Sequence, residues 1–247
     1  VARRLAHEIT NPLTPIQLAA ERTRLKLRDK LVGSDAELLE KNSSTIINQV
    51  AALKAMVDEF RNYARLPAAR LAPLDLNDLI EEVLGLYTAS AGGAAIRLEL
   101  SDGLAPVLGD ASQLRQVVHN LLKNALESVD KAERPEIRVS TTSFASVDGR
   151  QVVRLRVRDN GPGFSPAMLA RAFEPYVTSK RRGTGLGLAI VRKIADEHGA
   201  RIDLGNSTDE SGRVSGARVS ILFTKLADSV DNQALESVAK DKGRFDG

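Results

Sequence analysis

The chain contains no cysteine, which excludes disulfides and thiolate metal sites and fits a reducing compartment. Histidine is scarce and scattered, at His7, His119 and His198, which argues against a zinc site. No apolar run approaches the roughly 18 residues that would cross a membrane, and no secretory signal peptide is expected among these residues. Charge of one sign is also lacking. The 35 basic and 32 acidic residues are interspersed and leave a net +3, so there is no case for a nucleic-acid surface. Internal repeats and low-complexity segments are absent. The opening Val1-Ala2-Arg3-Arg4 has no initiator Met and lies already inside a helical pattern, so the chain is expected to be the C-terminal piece of a longer protein.

What is present is the length and apolar content of one or two globular domains: 247 residues, 43% hydrophobic and 27% charged. Two glycine-rich turns organise the second half. Asp159-Asn160-Gly161-Pro162-Gly163-Phe164 follows the alternating strand pattern of residues 153–158, and Gly183-Thr184-Gly185-Leu186-Gly187-Leu188 opens a helical pattern. Glycines at a helix mouth let the backbone approach an anion, where free N–H groups and the helix dipole favour phosphate. A single such turn is a weak signal. The third element, Asn120-Leu121-Leu122-Lys123-Asn124-Ala125, sharpens it by placing two amides four residues apart on one helical face.

In chain order, apolar residues at Leu5, Ile9, Leu13, Ile16, Ala20 and Leu27 predict an amphipathic helix, with a bend expected near Pro12 and Pro15. Gly33 suits a left-handed cap ending it, and Ser34-Asp35-Ala36-Glu37 reads as the capping box of a second helix. That helix carries Leu38, Ile46, Val50, Leu53, Val57 and Phe60 on one stripe. Such a hairpin has too little apolar cover of its own, and a dimeric four-helix bundle completes it; a long helical spacer is the plainer alternative.

The prolines of Leu66–Pro73 mark a linker and hinge. Beyond it helices and strands mix. Asp75 or Asn77 caps a helix through Tyr87, and residues 95–100 alternate as a strand. A short strand at residues 106–110 leads into a helix through Ala125, and a hairpin turns at Asp148-Gly149. Strands follow at Ile202–Leu204 and Ala217–Phe223, and the tail from Lys225 is polar and mobile or a short helix.

The chemistry is carried by few residues. Amide oxygens of Asn120 and Asn124 are hard ligands suited to Mg²⁺, which takes the rest of its shell from water and phosphate; taken alone, the pair reads more simply as surface amides. Asp159, at a strand end, can accept a hydrogen bond from an adenine amino group, or can simply form the turn. Lys123, Lys180 and Arg181 are positioned in sequence to meet phosphate charge.

Asn120/Asn124, Asp159-Asn160-Gly161-Pro162-Gly163, Phe173-Glu174-Pro175 and Gly183-Thr184-Gly185-Leu186-Gly187 occur in this order and resemble the N, G1, F and G2 boxes of sensor histidine kinases. Those enzymes share an ATPase superfamily with gyrase and Hsp90. The resemblance implies an α+β architecture: a dimerising helical hairpin, followed by an α/β-sandwich ATPase domain of the Bergerat (GHKL) type. It implies domains at 1–66, 75–226 and a tail at 227–247, with the linker at 67–74. By the same resemblance Asn124 ligates Mg²⁺ with Asn120 beside it, Asp159 reads adenine, and Gly161, Gly163, Gly185 and Gly187 shape the ATP pocket. Thr184 and Leu186 are counted with them, and residues between Phe164 and Gly183 form a lid.

His7-Glu8-Ile9-Thr10-Asn11-Pro12-Leu13 resembles the phosphoacceptor H box of the same family. An imidazole nitrogen can attack a γ-phosphorus in line while an acid, Glu8, stabilises the developing cation. Asn11 shares the face of His7, and by resemblance Glu8 and Asn11 orient water to dephosphorylate a partner's aspartyl phosphate. The run is most similar to the NtrY-like, nitrogen-regulation subfamily, in which Lys often stands where this chain has Thr10. The implied partners are a second copy of the chain and a response-regulator receiver domain of NtrX-like type. The implied location is a cytoplasmic fragment of a protein anchored in the bacterial inner membrane through its missing N-terminal region. Two other readings stay open: an ATPase of the superfamily that drives a clamp, and a signalling scaffold or phosphatase. His119 and His198 carry structural readings, His198-Gly199 as a helix C-terminus.

Overall fold

The computed structural model describes residues 2–64, 66–87, 93–178, 180 and 183–227, with the main chain alone for residues 2–8, Thr10 and Asn62. These fall into two compact units. Residues 1–67 group with Thr178–Leu186, and Ala68–Val177 group with the chain from Gly187 onward.

In the first unit, α1 (Ala2–Leu27) and α2 (Ser34–Ala64) pack as a hairpin. α1 runs through Pro12 and Pro15, and Arg24 of α1 meets Glu40 of α2 at 3.4 Å. Leu13, Ala20, Val50 and Val57 are buried, but Ile16, Leu38, Ile46 and Leu53 of the same stripes keep 44–57% of their surface exposed. The spacing of the apolar residues made the helices amphipathic, and one hairpin covers only part of each stripe. Gly33 is left-handed as expected, at φ +63°, but it serves the second helix rather than the first. Its carbonyl accepts the Glu37 N–H, whereas α1 closes earlier, through N–H groups of Lys30 and Leu31 on the Leu27 carbonyl.

The second unit is a two-layer sandwich. Its strands are β2 (Ala95–Glu99), β4 (Glu136–Ala145), β5 (Gln151–Asp159), β6 (Arg201–Thr208) and β7 (Val214–Phe223), in the order β2-β4-β5-β7-β6. β2 and β4 run parallel, and the other neighbours are antiparallel. Alternation dictates the layering: Ile137, Val139, Leu155, Val157, Val219 and Ile221 all point inward and are buried. Against them pack α4 (Ala111–Val129) and α6 (Gly187–Glu197), with α3 (Leu76–Gly85) lying on α4. Asp75 and Asp110 cap α3 and α4, their carboxylates accepting two backbone N–H groups each.

Three local features differ from the sequence expectations. Within the stretch read as a linker, Ala72–Leu74 forms β1, which pairs antiparallel with β3 (Val107–Gly109). Leu226, placed in the polar tail, is buried, and main-chain bonds from Leu108 to Lys225 and from Ala227 to Pro106 hold it; an apolar side chain with a strand edge to pair with is packed despite its polar neighbours. The tail from residue 228 lies outside the described residues. Within the stretch read as a lid, Pro166–Arg171 forms α5, with Ser165 as its N-cap and proline at its start.

Candidate nucleotide-binding site

α4 carries the site's backbone of polar groups. Asn120, Asn124 and Ser128 recur every fourth residue, so they stand in one stripe along the helix. Leu121, Leu122 and Ala125 face the core and fix the helix's rotation. At one end of the stripe, the Ser128 hydroxyl lies 3.4 Å from Asp159 Oδ1. Asp159 is the last residue of β5 and 8% exposed. The same oxygen accepts the N–H of Gly161 at 2.9 Å and of Ala217 at 3.2 Å, so its carboxylate is held in one orientation.

The glycines around Asp159 are demanded by contact. A Cβ on Gly161 would stand 2.3 Å from Ser128 Oγ, and one on Gly163, where φ is +72°, would stand 2.6 Å from Val214 and 2.8 Å from Asn206 Oδ1. Asn160 ties the strand ends together, its amide accepting from Glu136 N at 2.9 Å and donating to the Arg134 carbonyl at 2.7 Å.

At the middle of the stripe, Asn124 meets the start of α6. A Cβ on Gly187 would lie 3.4–3.7 Å from the Asn124 amide atoms. The first N–H groups of α6 and its positive dipole end therefore open beside an amide, an arrangement suited to an anion with its cation. Asn120 Nδ2 is buried without a partner. An amide turned half-way about its last bond presents its oxygen in the same place. Among the described residues no cluster of three His, Asp or Glu side chains is placed to hold a metal. Two amide oxygens with phosphate and water match Mg²⁺, which keeps most of its water and seldom takes an all-protein cage. These residues fit that ion. Lys123 is exposed on the same helix.

The remaining sequence-predicted residues lie in the first unit. His7 sits on α1 with Asn11 one turn on and exposed; the side chains of His7 and Glu8 are outside the described residues. Lys180 donates its main-chain N–H to Thr178 Oγ1 at 3.1 Å, and Arg181 is outside the described residues. Gly185 is left-handed at φ +70° and Leu186 is fully buried. Thr184 donates its hydroxyl to the Glu59 carboxylate of α2, and accepts the Leu186 N–H at 3.4 Å.

Sequence reasoning missed Ser128, Asn206, Gly216 and Glu59. Ser128 continued the four-residue spacing of Asn120 and Asn124, which was the available signal. Asn206 accepts the Phe164 N–H at 2.7 Å and donates to its carbonyl at 2.8 Å, and a Cβ on Gly216 would strike the Asp159 carbonyl at 1.7 Å. Both are long-range contacts with no local pattern. Further along, the Arg192 guanidinium lies 5.6 Å from the Phe173 ring centroid, and Arg171 beside Glu174 holds that carboxyl below its usual range. His119 is engaged with Tyr87, whose hydroxyl is 2.6 Å from Nδ1 and whose pKa burial pushes up. His198 is buried, accepting the Asp110 N–H on Nε2 and bonding the Ile194 carbonyl through Nδ1, while Gly199 takes the left-handed cap at φ +63°.

Comparison with known proteins agrees with this geometry. Residues 109–227 match the family described as histidine kinase-, DNA gyrase B-, and HSP90-like ATPase, and residues 1–69 match the His Kinase A phospho-acceptor domain. The nitrogen regulation protein NtrY of Azorhizobium caulinodans is 38% identical over 86% of this chain. The chain spans 27% of that protein's length. Among solved structures, full-length ShkA in complex with AMPPNP is 26% identical with a TM-score of 0.65, covering 91% of this chain and 45% of its own. The histidine kinase ThkA in complex with the response regulator TrrA is 26% identical with a TM-score of 0.62, covering 90% of this chain and 60% of that one. No described helix is long and apolar enough to cross a membrane. A phospho-acceptor hairpin joined to an ATP-binding sandwich, with NtrY-type kinases as its relatives, makes this chain a member of the sensor histidine kinase family.

Proposed function

We propose that the chain is the catalytic core of a sensor kinase that phosphorylates itself on His7 from Mg-ATP and passes the phosphoryl group to an aspartate of a response-regulator receiver domain, of NtrX-like type. The observation that carries this reading is the stripe Asn120–Asn124–Ser128, which meets a buried, oriented carboxylate at one end and the start of α6 at its middle. Asp159 accepts the adenine amino group, Gly161 and Gly163 keep the base edge free of side chains, and the α6 N-terminus with Thr184, Gly185, Leu186 and Gly187 receives the phosphates. Lys123, Lys180 and Arg181 offset phosphate charge. Asn124, with Asn120, holds Mg²⁺, which supplies charge neutralisation when bound.

The transfer is a displacement at phosphorus. A neutral ring nitrogen of His7 bonds to the γ-phosphorus as the bond to the β,γ-bridging oxygen breaks and ADP leaves with the electron pair. The Glu8 carboxylate stabilises the positive charge that develops on the ring. In the second transfer a receiver carboxylate attacks the same phosphorus, the P–N bond breaks, and its electron pair returns to the ring, leaving neutral imidazole. Asn11, one turn from His7 and exposed, orients water for the reverse duty of hydrolysing the aspartyl phosphate.

The domain assignment follows, with the linker shortened by β1: 1–66 for dimerisation and phosphotransfer, a hinge ahead of β1 within 67–71, and the ATP-binding domain from β1 to residue 226. The half-exposed Ile16, Leu38, Ile46 and Leu53 support a homodimer through the hairpin, where a second copy covers them. The full-length protein is proposed to be anchored in the inner membrane with this part in the cytoplasm. The test is incubation with radiolabelled ATP and Mg²⁺. Acid-labile label should appear on the wild type and vanish in His7→Gln while ATP binding persists; label retained in that variant overturns the assignment.

A further inference from the structure

The face of the sheet turned away from the helices carries an unusual charge pattern. Register places Arg97 of β2 beside Arg138 of β4, Arg138 beside Arg158 of β5, and Arg158 beside Arg218 of β7. Four guanidinium-bearing residues thus form one cross-strand row, spanning about 14 Å at the usual strand spacing. Like charges directly opposite one another destabilise a sheet, so this row works against the fold. The next residues outward on β5, Arg156 and Arg154, extend it, and Arg201 joins from β6.

The row is only partly neutralised. Glu136 meets Arg97 at 3.4 Å and Arg138 at 3.0 Å, Glu99 meets Arg138 at 3.1 Å, and Asp203 meets Arg218 at 3.4 Å. Among the described residues no carboxylate forms an ion pair with Arg154, Arg156, Arg158 or Arg201. Burial first, then the charges of Arg154 and Arg218, hold the Arg156 guanidinium below its usual range. Arg218 Nε is buried with no partner. An anion laid on this face would relieve repulsion that Glu99, Glu136 and Asp203 relieve only in part.

We infer that this sheet face is a docking surface for an acidic helix of another protein. Arginine's fork matches carboxylates two bonds at a time. Glutamates at i, i+4, i+7 and i+11 of a helix recur about every 5–6 Å on one side, close to the strand spacing of the row. The three carboxylates on the face disfavour a uniformly anionic lipid surface or a phosphate backbone, because they would lie against like charge. They suit a protein partner, whose basic residues can meet them. Among the described residues no aromatic platform for stacked bases accompanies the arginines, apart from Phe144, which already lies 5.0 Å beneath Arg154.

The full chain should be titrated, by fluorescence anisotropy, with a labelled alanine-based helical peptide carrying glutamate at i, i+4, i+7 and i+11, and with its glutamine counterpart. The glutamate peptide should bind with an affinity that falls as salt rises, and the glutamine peptide should not bind. Arg154→Ser with Arg158→Ser should weaken binding about tenfold without changing ATP affinity. Asp203→Asn should strengthen binding several-fold by freeing Arg218, an outcome that misfolding cannot mimic. Absence of peptide binding at low salt, or binding indifferent to both variants, overturns the inference. So does tighter binding to vesicles rich in phosphatidylserine or to duplex RNA than to the peptide.

Discussion

Asp159→Asn separates what this residue does for the fold from the base recognition proposed for it. Asparagine keeps the shape, and its amide oxygen can still accept from Gly161 at 2.9 Å and Ala217 at 3.2 Å. Those two bonds change from charge-assisted to neutral, a loss of about 1 kcal/mol each, so about 2 kcal/mol of stability should go. The other end of the side chain changes from an acceptor to a donor. An adenine amino group would then face an NH₂ group, and leaving these donors unpaired costs about 1–3 kcal/mol, or roughly 10- to 100-fold in ATP affinity. Inosine triphosphate carries an oxygen where adenine carries the amino group, so it should bind the variant better than the wild type. The assay is competition of ATP and inosine triphosphate against a fluorescent nucleotide, with thermal unfolding run alongside. Equal losses for the two nucleotides, or no loss for ATP, would refute the assignment of Asp159 to base recognition.

Three further outcomes are expected. His198→Leu leaves the Asp110 N–H and the Ile194 carbonyl without the partners they have at 2.9 and 2.8 Å, so the urea midpoint should fall by the equivalent of about 2–4 kcal/mol. Asp110 is held below the usual carboxylate range chiefly by the Arg70 N–H, then by the Gln113 and Ser112 N–H groups. Its folded-state pKa is depressed, so its contribution is present above the unfolded value near ~3.9 and is lost as pH falls through the folded value; acid unfolding curves of Asp110→Asn should be flatter below about pH 4. Gly187→Ala should leave thermal stability intact and weaken Mg-ATP binding measured by calorimetry, and a variant that binds normally would remove the α6 mouth from the site.

Much of the fold was legible because its cause was local. Period-two alternation marked β5, the Asp148-Gly149 turn marked the hairpin that joins it to β4, and Asp75, offered together with Asn77, advertised the start of α3. The N and G1 elements were legible for the same reason: four-residue spacing on a helix and a glycine turn after a strand. What escaped was settled by distant partners. Residues 72–74 look like linker until Val107–Gly109 offers an edge to pair with, and Leu226 looks like tail until Pro106 and Leu108 take up its neighbours' main chain. Asn206 is an ordinary strand residue until Phe164 arrives from 42 residues away.

The glycines divide by cause, and the division separates folding from binding. At Gly161, Gly163 and Gly216 a Cβ would lie between 1.7 and 2.6 Å from atoms of this protein, so the chain needs glycine there whether or not a nucleotide ever binds. Their presence in a motif is therefore weak testimony to function by itself. Gly187 is different, since its nearest neighbour is the Asn124 amide at 3.4 Å, an ordinary contact, and alanine is the better helix former. Among the described residues nothing demands a glycine at the first position of α6. On the proposed reading the demand comes from a phosphate carrying Mg²⁺, which has the charge for the helix mouth and the oxygen affinity for the amide.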